Sequence, residues 1–127
     1  SNKLTMMSGS QSESLTLAMG HYDQAAYQLA LKAFSSLGDE AALDKGLLLL
    51  YQGICYLEIG QELKAKAHFS QVLEIPGTRL AGPAAWYLGL THLKLGDLSQ
   101  AKQFFRQAAT LDSAYKGQVE AVLQDLG

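Results

Sequence analysis

Three glycines of this 127-residue chain each begin the same short phrase, and this repetition constrains the fold more than any other feature. Each glycine is followed five residues later by an alanine and nine residues later by a large apolar residue. The three phrases are Gly20-Ala25-Leu29, Gly60-Ala65-Phe69 and Gly96-Ala101-Phe105. Spacings of 40 and then 36 residues between the glycines predict stacked copies of one small structural unit. Arrays of this kind usually present binding surfaces rather than catalytic sites.

The second and third copies also agree over the stretch that precedes their glycines. Residues 50–60 and 86–96 align without a gap and share tyrosine, glycine, leucine and glycine in register. The shared pairs are Tyr51 and Tyr87, Gly53 and Gly89, Leu57 and Leu93, and Gly60 and Gly96. This pattern resembles the tetratricopeptide repeat, in which W-x2-L-G-x2-Y precedes A-x3-F and a proline over about 34 residues. The resemblance is strong over residues 47–112 and weak over 12–37.

The chain departs from the repeat pattern at several positions. Leu49 and Ala85 stand at the tryptophan position, and His92 replaces the tyrosine of the third copy. The closing proline is displaced to Pro76 in the second copy and replaced by Ser113 in the third. The first copy keeps only the second half of the pattern, so its placement depends on the first glycine phrase alone.

The resemblance implies an all-α helical-repeat array, an α-solenoid of about three antiparallel helix pairs plus a C-terminal capping helix. Apolar periodicity and helix-breaking residues predict the individual helices. Their predicted ranges are 12–19, 22–36, 40–59, 62–75, 83–95, 98–111 and 114–126. Gly20 is expected to end the first helix, Asp39 to cap the third and Asp97 to cap the sixth.

Composition is that of a globular chain without a nucleic-acid partner. Hydrophobic residues make up 48% of the chain and charged residues 17%, with a net charge of −2, so the basic excess of a nucleic-acid binder is missing. The longest apolar run, Leu47 to Tyr51, is too short to cross a bilayer. We therefore expect residues 12–127 to fold as one domain after a flexible lead-in at 1–11.

Two features bear on the origin of the fragment. Ser1-Asn2 reads as a cloning remnant, because no initiator methionine is present. The Trp-Tyr-Leu-Gly-Leu phrase at residues 86–90 is similar to the soluble tails of membrane-anchored bacterial repeat proteins. We therefore expect a membrane anchor outside this fragment, with the domain on the cytoplasmic or the periplasmic side.

No set of residues in the sequence matches a catalytic or metal-binding pattern. Cys55 lies between apolar residues of a predicted helix, where cysteines are usually inert. His21, His68 and His92 are too far apart in sequence for two of them to be ligands on one helix face. Neither glycine-rich phosphate-binding motif occurs. The sequence therefore predicts a protein that is not an enzyme and that has no cofactor and no metal.

The resemblance implies that the first helix of each pair lines a concave groove. In the second and third copies the residues expected there are all apolar and recur at i, i+4 and i+7 spacing. We predict that six residues form one partner-binding strip: Leu50, Ile54, Leu57, Trp86, Leu90 and Leu93. An apolar strip with a tryptophan is typical of an interaction surface. None of the six is the lysine, arginine or asparagine with which some family members clamp a terminal carboxylate.

The expected function is protein–protein interaction or scaffolding, with a peptide, a protein segment or a second copy in the groove. Two alternatives remain open at this point. The strip could be covered inside the domain, by the segment Leu4–Met7 or by the last helix, which would make the chain a structural or self-association domain. A small enzyme is the third class, and it would need polar residues that converge in a pocket, for which the sequence has no candidate set.

Overall fold

The computed structural model describes residues 13–37 and 44–127, and the regular secondary structure within these ranges is helical. The helices are α1 (Glu13–Asp23), α2 (Tyr27–Ser36), α3 (Lys45–Glu58), α4 (Glu62–Leu73), α5 (Ala81–Lys94), α6 (Leu98–Leu111) and α7 (Lys116–Leu126), with a 3₁₀ turn (Ser113–Tyr115) before α7. The lead-in at 1–11, the segment Leu4–Met7 and the predicted cap Asp39 lie outside the described residues. The predicted all-α fold is confirmed.

The helices pack as three pairs in chain order. The first pair is α1 with α2, the second is α3 with α4, and the third is α5 with α6. Successive pairs are joined through α2 with α3 and through α4 with α5, and α3 also approaches α5 directly. The first helices α1, α3 and α5 form one layer, because α3 contacts α5 and the ring of Tyr22 on α1 packs against Tyr51 on α3. Helix α7 packs against α6 at the end of the stack, as the predicted capping helix should.

The two helices of the second pair cross closely at a glycine, and so do the two helices of the third pair. A Cβ atom built on Gly53 would lie 2.6 Å from Cε1 of Phe69, and one built on Gly89 would overlap the ring of Phe105 in the same way. Both phenylalanine rings are fully buried. A larger residue at either glycine would therefore force the helices apart. Glycine at these two positions therefore permits the close approach of the two helices in each pair.

The turns inside the second and third pairs share one geometry. Gly60 and Gly96 have φ angles of +81° and +80°, a left-handed conformation that glycine adopts without steric cost. The amide after each glycine donates to the carbonyl five residues earlier, over 2.8 Å in the second pair and 2.9 Å in the third. Asp97 then caps α6 as predicted, because its Oδ1 accepts a hydrogen bond from the amide of Gln100 over 3.1 Å.

The first pair has the same turn, but not at the predicted place. Gly20 lies inside α1, and Ala25 takes the left-handed position with a φ of +59°. The amide of Ala26 donates to the carbonyl of His21 over 2.8 Å, which reproduces the turns of the other two pairs. The predicted limits 12–19 and 22–36 were therefore wrong, because α1 continues to Asp23.

The buried residues of the first pair follow this corrected register. Ala30 and Phe34 come five and nine residues after Ala25, and both are fully buried, whereas Leu29 of the predicted phrase is 54% exposed. Burying a phenylalanine stabilises the fold by about 1.5–3 kcal/mol, which exceeds the roughly 1–2 kcal/mol that a left-handed alanine costs. Packing therefore decides the register, and the repeat spacing is 35 residues (60 minus 25) and then 36 (96 minus 60).

The remaining helix limits lie close to the predicted ones except at the start of α3. Asp44 caps that helix, and its Oδ1 accepts a hydrogen bond from the amide of Leu47 over 3.1 Å. The first residue of α3 is therefore Lys45 rather than residue 40. At the other end of the chain Asp112 caps the 3₁₀ turn, so that α7 begins two residues later than predicted.

Candidate functional site

The six residues predicted to form one open strip divide between two apolar clusters. Leu50, Ile54 and Leu57 are each no more than 8% exposed, and they pack with Phe69 of α4 and Leu88 of α5. The single open strip is therefore not what the structure shows, because the third pair covers the residues of the second. These three side chains are buried in that cluster, and a direct contact between them and a partner stays a prediction.

The other three residues of the strip, Trp86, Leu90 and Leu93, are partly buried at the end of the stack. The indole ring of Trp86 lies 5.0 Å from the ring of Phe105 and 5.7 Å from that of Tyr115, and the planes of Trp86 and Tyr115 are 28° from parallel. The last helix thus covers this group in part, which the sequence left open as an alternative. A partner-binding role for the group stays a prediction.

Tyrosine side chains from all three pairs lie on or beside the layer of first helices. Tyr22 of α1 lies 4.8 Å from Tyr51 of α3 and 6.0 Å from Tyr27 of α2, measured between ring centroids, and both contacts are edge-to-face. Tyr87 of α5 packs on the same apolar cluster as Tyr22, and its hydroxyl is close enough to affect the titration of Tyr22. We call Tyr22, Tyr27, Tyr51 and Tyr87 the tyrosine face. Tyr51 is buried and supports the other three, which are partly exposed.

The repeat itself positions this face. Tyr51 and Tyr87 are equivalent residues, and each ring stacks on the buried phenylalanine of the preceding pair. The centroid distances are 6.2 Å from Tyr51 to Phe34 and 5.5 Å from Tyr87 to Phe69, both at 17° from parallel. The phenylalanines that fill the helix pairs therefore also fix the orientation of the tyrosines on the next pair.

The hydroxyls of the tyrosine face are neutral hydrogen-bonding groups. Burial raises the pKa of Tyr22, Tyr27 and Tyr87, and the charges of neighbouring groups raise it further. None of these three hydroxyls makes a hydrogen bond with residues 13–37 or 44–127, and all three side chains are partly exposed. Each hydroxyl can both donate and accept, so together they can bind the amides and carbonyls of another chain.

The groups considered for catalysis are not arranged for it. Cys55 is fully buried, and burial followed by the charge of Glu58 raises its pKa to about 12, which keeps it a thiol rather than a nucleophilic thiolate. His92 is 5% exposed, and its Nδ1 is 3.9 Å from Oδ2 of Asp97. In the described ranges no three histidine, cysteine or acidic side chains come together as metal ligands would.

The described helices are short compared with a membrane span. Helices α3, α5 and α6 have 14 residues each, whereas a transmembrane helix needs about 20 apolar residues. Over residues 13–37 and 44–127, no helix combines the length and the hydropathy that a transmembrane segment requires.

Sequence models of one family match the chain in two places. The tetratricopeptide repeat matches residues 48–76 and again residues 84–115, which correspond to the second and third helix pairs. These two helix pairs are tetratricopeptide repeats. The resemblance noted from the glycine phrases is thereby confirmed, and the weaker first pair lies outside both matches.

Solved structures with the same fold include three that hold a bound segment. The second tetratricopeptide repeat domain of human RPAP3, in complex with the HSP70 peptide SGPTIEEVD, is 24% identical and has a TM-score of 0.73 over 89% of this chain and 91% of that one. PcrH in complex with the chaperone-binding region of PopD is 22% identical, with a TM-score of 0.75 over 90% and 88%. The complex of PcrH with the corresponding region of PopB is 21% identical, with a TM-score of 0.71 over 92% and 98%. No curated protein matches the chain.

Tyr51 and Tyr87 recur in the sequence, but the i, i+4 and i+7 pattern of apolar residues selects Leu50 and Trp86, the residues immediately before them, for the groove. Because neighbouring residues on a helix point about 100° apart, a shift of one position selects a different face of the helix. The signal that could have found the tyrosine face was the exact recurrence of tyrosine itself, since a polar hydroxyl on a repeated aromatic residue favours a surface that is neither core nor fully exposed.

Proposed function

We propose that this protein is a non-catalytic peptide-binding module that holds an extended, largely apolar segment of a partner protein on the tyrosine face. The observation that carries the proposal is the set of partly exposed tyrosines, Tyr22, Tyr27 and Tyr87, whose hydroxyls have no partner in the described ranges. Tyrosine rings bury a large apolar area at low entropic cost, and their hydroxyls hydrogen-bond to peptide backbone. Both properties suit the binding of an extended chain.

The buried leucines of the second pair have a supporting role in this proposal. Leu50, Ile54 and Leu57 belong to the cluster on which Tyr22 and Tyr87 pack. A rigid support keeps the rings in place before a partner arrives, which lowers the entropic cost of binding.

Trp86, Leu90 and Leu93 extend the proposed surface toward α7. Tyr115 links the two parts, because its ring packs on Trp86 and its pKa is raised by burial and then by the neighbouring Tyr87. A partner segment that follows the tyrosine face would therefore continue onto the exposed part of the Trp86 side chain. Tryptophan is among the residues that contribute most often to binding energy.

The comparison structures support this type of binding. The RPAP3 domain was solved with an HSP70 peptide, and PcrH with the chaperone-binding region of PopD or PopB. All three share the fold of this chain over most of its length, and each holds a segment of another protein, which supports a peptide or protein segment as the ligand here.

An array of acetylated, amidated twelve-residue peptides of graded leucine content would test the proposal. We expect saturable binding of the apolar members to the parent protein, and binding at least about tenfold weaker to Tyr87→Ala. Tyr87→Phe keeps the ring and removes the hydroxyl, so it separates packing from hydrogen bonding. Leu63→Ala is the control, because Leu63 is 71% exposed on α4, in the layer of second helices.

Thermal melts of every variant would accompany the binding measurements. Trp86→Ala is included as a further variant. If Trp86→Ala or Tyr87→Ala lowers the melting temperature but its folded molecules bind the peptides as tightly as the parent does, that residue stabilises the fold and does not contact the partner. Two results would overturn the proposal: no peptide of any composition binds, or folded Tyr87→Ala binds like the parent. Light scattering of the same samples tests the alternative of self-association. If the parent is a dimer and Tyr87→Ala is a monomer, the tyrosine face binds a second copy of the chain.

A further inference from the structure

One acidic side chain lies within the tyrosine face. Glu58 is the last residue of α3, and it is exposed. It follows Tyr51 by seven residues, which is two helical turns, so the two side chains share one face of the helix. Its charge raises the pKa of Tyr27 from α2 and of Tyr87 from α5, in both cases as the largest cause after burial. Glu58 therefore lies on the side of α3 that carries Tyr51, whose ring contacts Tyr22 of α1.

Nothing in residues 13–37 or 44–127 pairs with this carboxylate. Glu58 has neither a hydrogen bond nor an ion pair there. Lys94 occupies the equivalent position of α5, and its Nζ donates to the backbone carbonyl of Leu57 over 3.5 Å. Lys94 is thus engaged with the end of α3 and not with the Glu58 side chain. An unpaired negative charge remains on a face that is otherwise built of neutral aromatic rings.

We infer that the segment held on the tyrosine face carries an arginine or a lysine that pairs with Glu58. This inference rests on the proposed function and specifies the class of partner. A guanidinium group would form a bidentate pair with the carboxylate and could stack on the neighbouring rings of Tyr27 and Tyr87, which an ammonium group does less well. Arginine is therefore the preferred residue.

The same charge disfavours acidic segments. The HSP70 peptide bound by the RPAP3 domain, SGPTIEEVD, has three acidic residues among its last four. On this chain such a peptide would bring like charges toward Glu58, and like-charge contacts weaken binding and select against wrong partners. The net charge of −2 acts in the same direction over longer distances.

Three otherwise identical apolar twelve-residue peptides, with arginine, citrulline or glutamate at the central position, would test the inference. Citrulline keeps the shape of arginine without its charge. We expect the parent protein to bind the arginine peptide about fivefold more tightly than the citrulline peptide, and the glutamate peptide most weakly. Glu58→Gln should abolish the difference between arginine and citrulline and leave the affinity for citrulline unchanged.

Glu74→Gln is the matched control, because Glu74 is an exposed glutamate at the end of α4. This variant should keep the arginine preference. Raising salt from about 50 mM to about 500 mM should reduce that preference in the parent and leave citrulline binding unaffected. Equal binding of the arginine and citrulline peptides by the parent, or an arginine preference that survives in Glu58→Gln, would overturn the inference and leave the proposed function standing. Failure of all three peptides to bind would count against the proposed function itself.

Discussion

Equivalent apolar residues are buried in the second helix pair and partly exposed in the third. Leu57 is 3% exposed, whereas Leu93, at the same position one repeat later, is only partly buried. The residues of the second pair are covered by a complete third pair, and those of the third by the 3₁₀ turn and the single helix α7. A repeat position is therefore core or surface according to the element stacked against it.

The largest expected effect comes from truncating these two matched leucines. Leu57→Ala should lower the free energy of unfolding by about 3 kcal/mol, because it leaves a cavity in a closed cluster. Leu93→Ala should cost about 1 kcal/mol, because part of the side chain already contacts solvent. Urea denaturation would measure both. Equal losses would show that α7 covers the third pair as completely as a further pair would, and that Leu93 is a core residue like Leu57.

The glycine–phenylalanine contacts inside the second and third pairs should be equally sensitive to a larger side chain, although the exposed faces of the two pairs differ. Gly53→Leu and Gly89→Leu should each lower stability by about 1–3 kcal/mol, because the new side chain collides with Phe69 or Phe105. Gly117→Leu is the control, since a Cβ at Gly117 meets no atom within 4 Å, and it should change stability by less than about 0.5 kcal/mol. A melting temperature of Gly89→Leu equal to that of the parent would contradict the pairing of α5 with α6.

The turns extend the comparison to the first pair. Ala25→Gly should raise stability by about 0.5–1 kcal/mol, because it relieves a left-handed alanine. Gly96→Ala should lower it by about 1 kcal/mol, and only through backbone strain, since no atom lies within 4 Å of the added Cβ. Chemical denaturation of both variants is the measurement. If Ala25→Gly is destabilising, the turn of the first pair is not at residues 24–26.

The smallest effect concerns one position at which the second and third pairs differ in chemistry. Tyr56 of the second pair corresponds to His92 of the third, which stacks on Phe104 at 5.3 Å between ring centroids. Burial lowers the pKa of His92, the positive charge of Lys66 lowers it further, and Asp97 opposes both. Because the unfolded chain binds this proton more readily, stability is retained above the ordinary pKa of 6.5 and declines as the pH falls below it.

The variant His92→Tyr makes the third pair match the second at this position and removes the titrating group. We expect the melting temperature of the parent to fall more steeply between about pH 7.5 and pH 5.5 than that of His92→Tyr. The other two histidines are present in both proteins, so the difference between the two curves isolates His92. Parallel curves would show that protonating His92 has no cost in the folded state.

Local signals in the sequence determined the second and third pairs. Gly60 and Gly96 adopt left-handed turns, Asp97 caps a helix, and Gly53 and Gly89 permit close helix crossings. Each role depends mainly on the residue's own backbone or on its nearest contact. Such roles are the same in every copy, so a repeated pattern reveals them. The helices of these two pairs and their antiparallel packing follow from these residues together with apolar periodicity.

Tertiary structure decided the register of the first pair and the identity of the exposed face. Ala25 adopts a conformation that its residue type disfavours, because burying Ala30 and Phe34 outweighs the local cost. Trp86 and Leu50 are equivalent in sequence but differ in exposure, because different elements cover them. Burial depends on every element that packs against a residue, and periodicity within one helix contains no information about those distant neighbours.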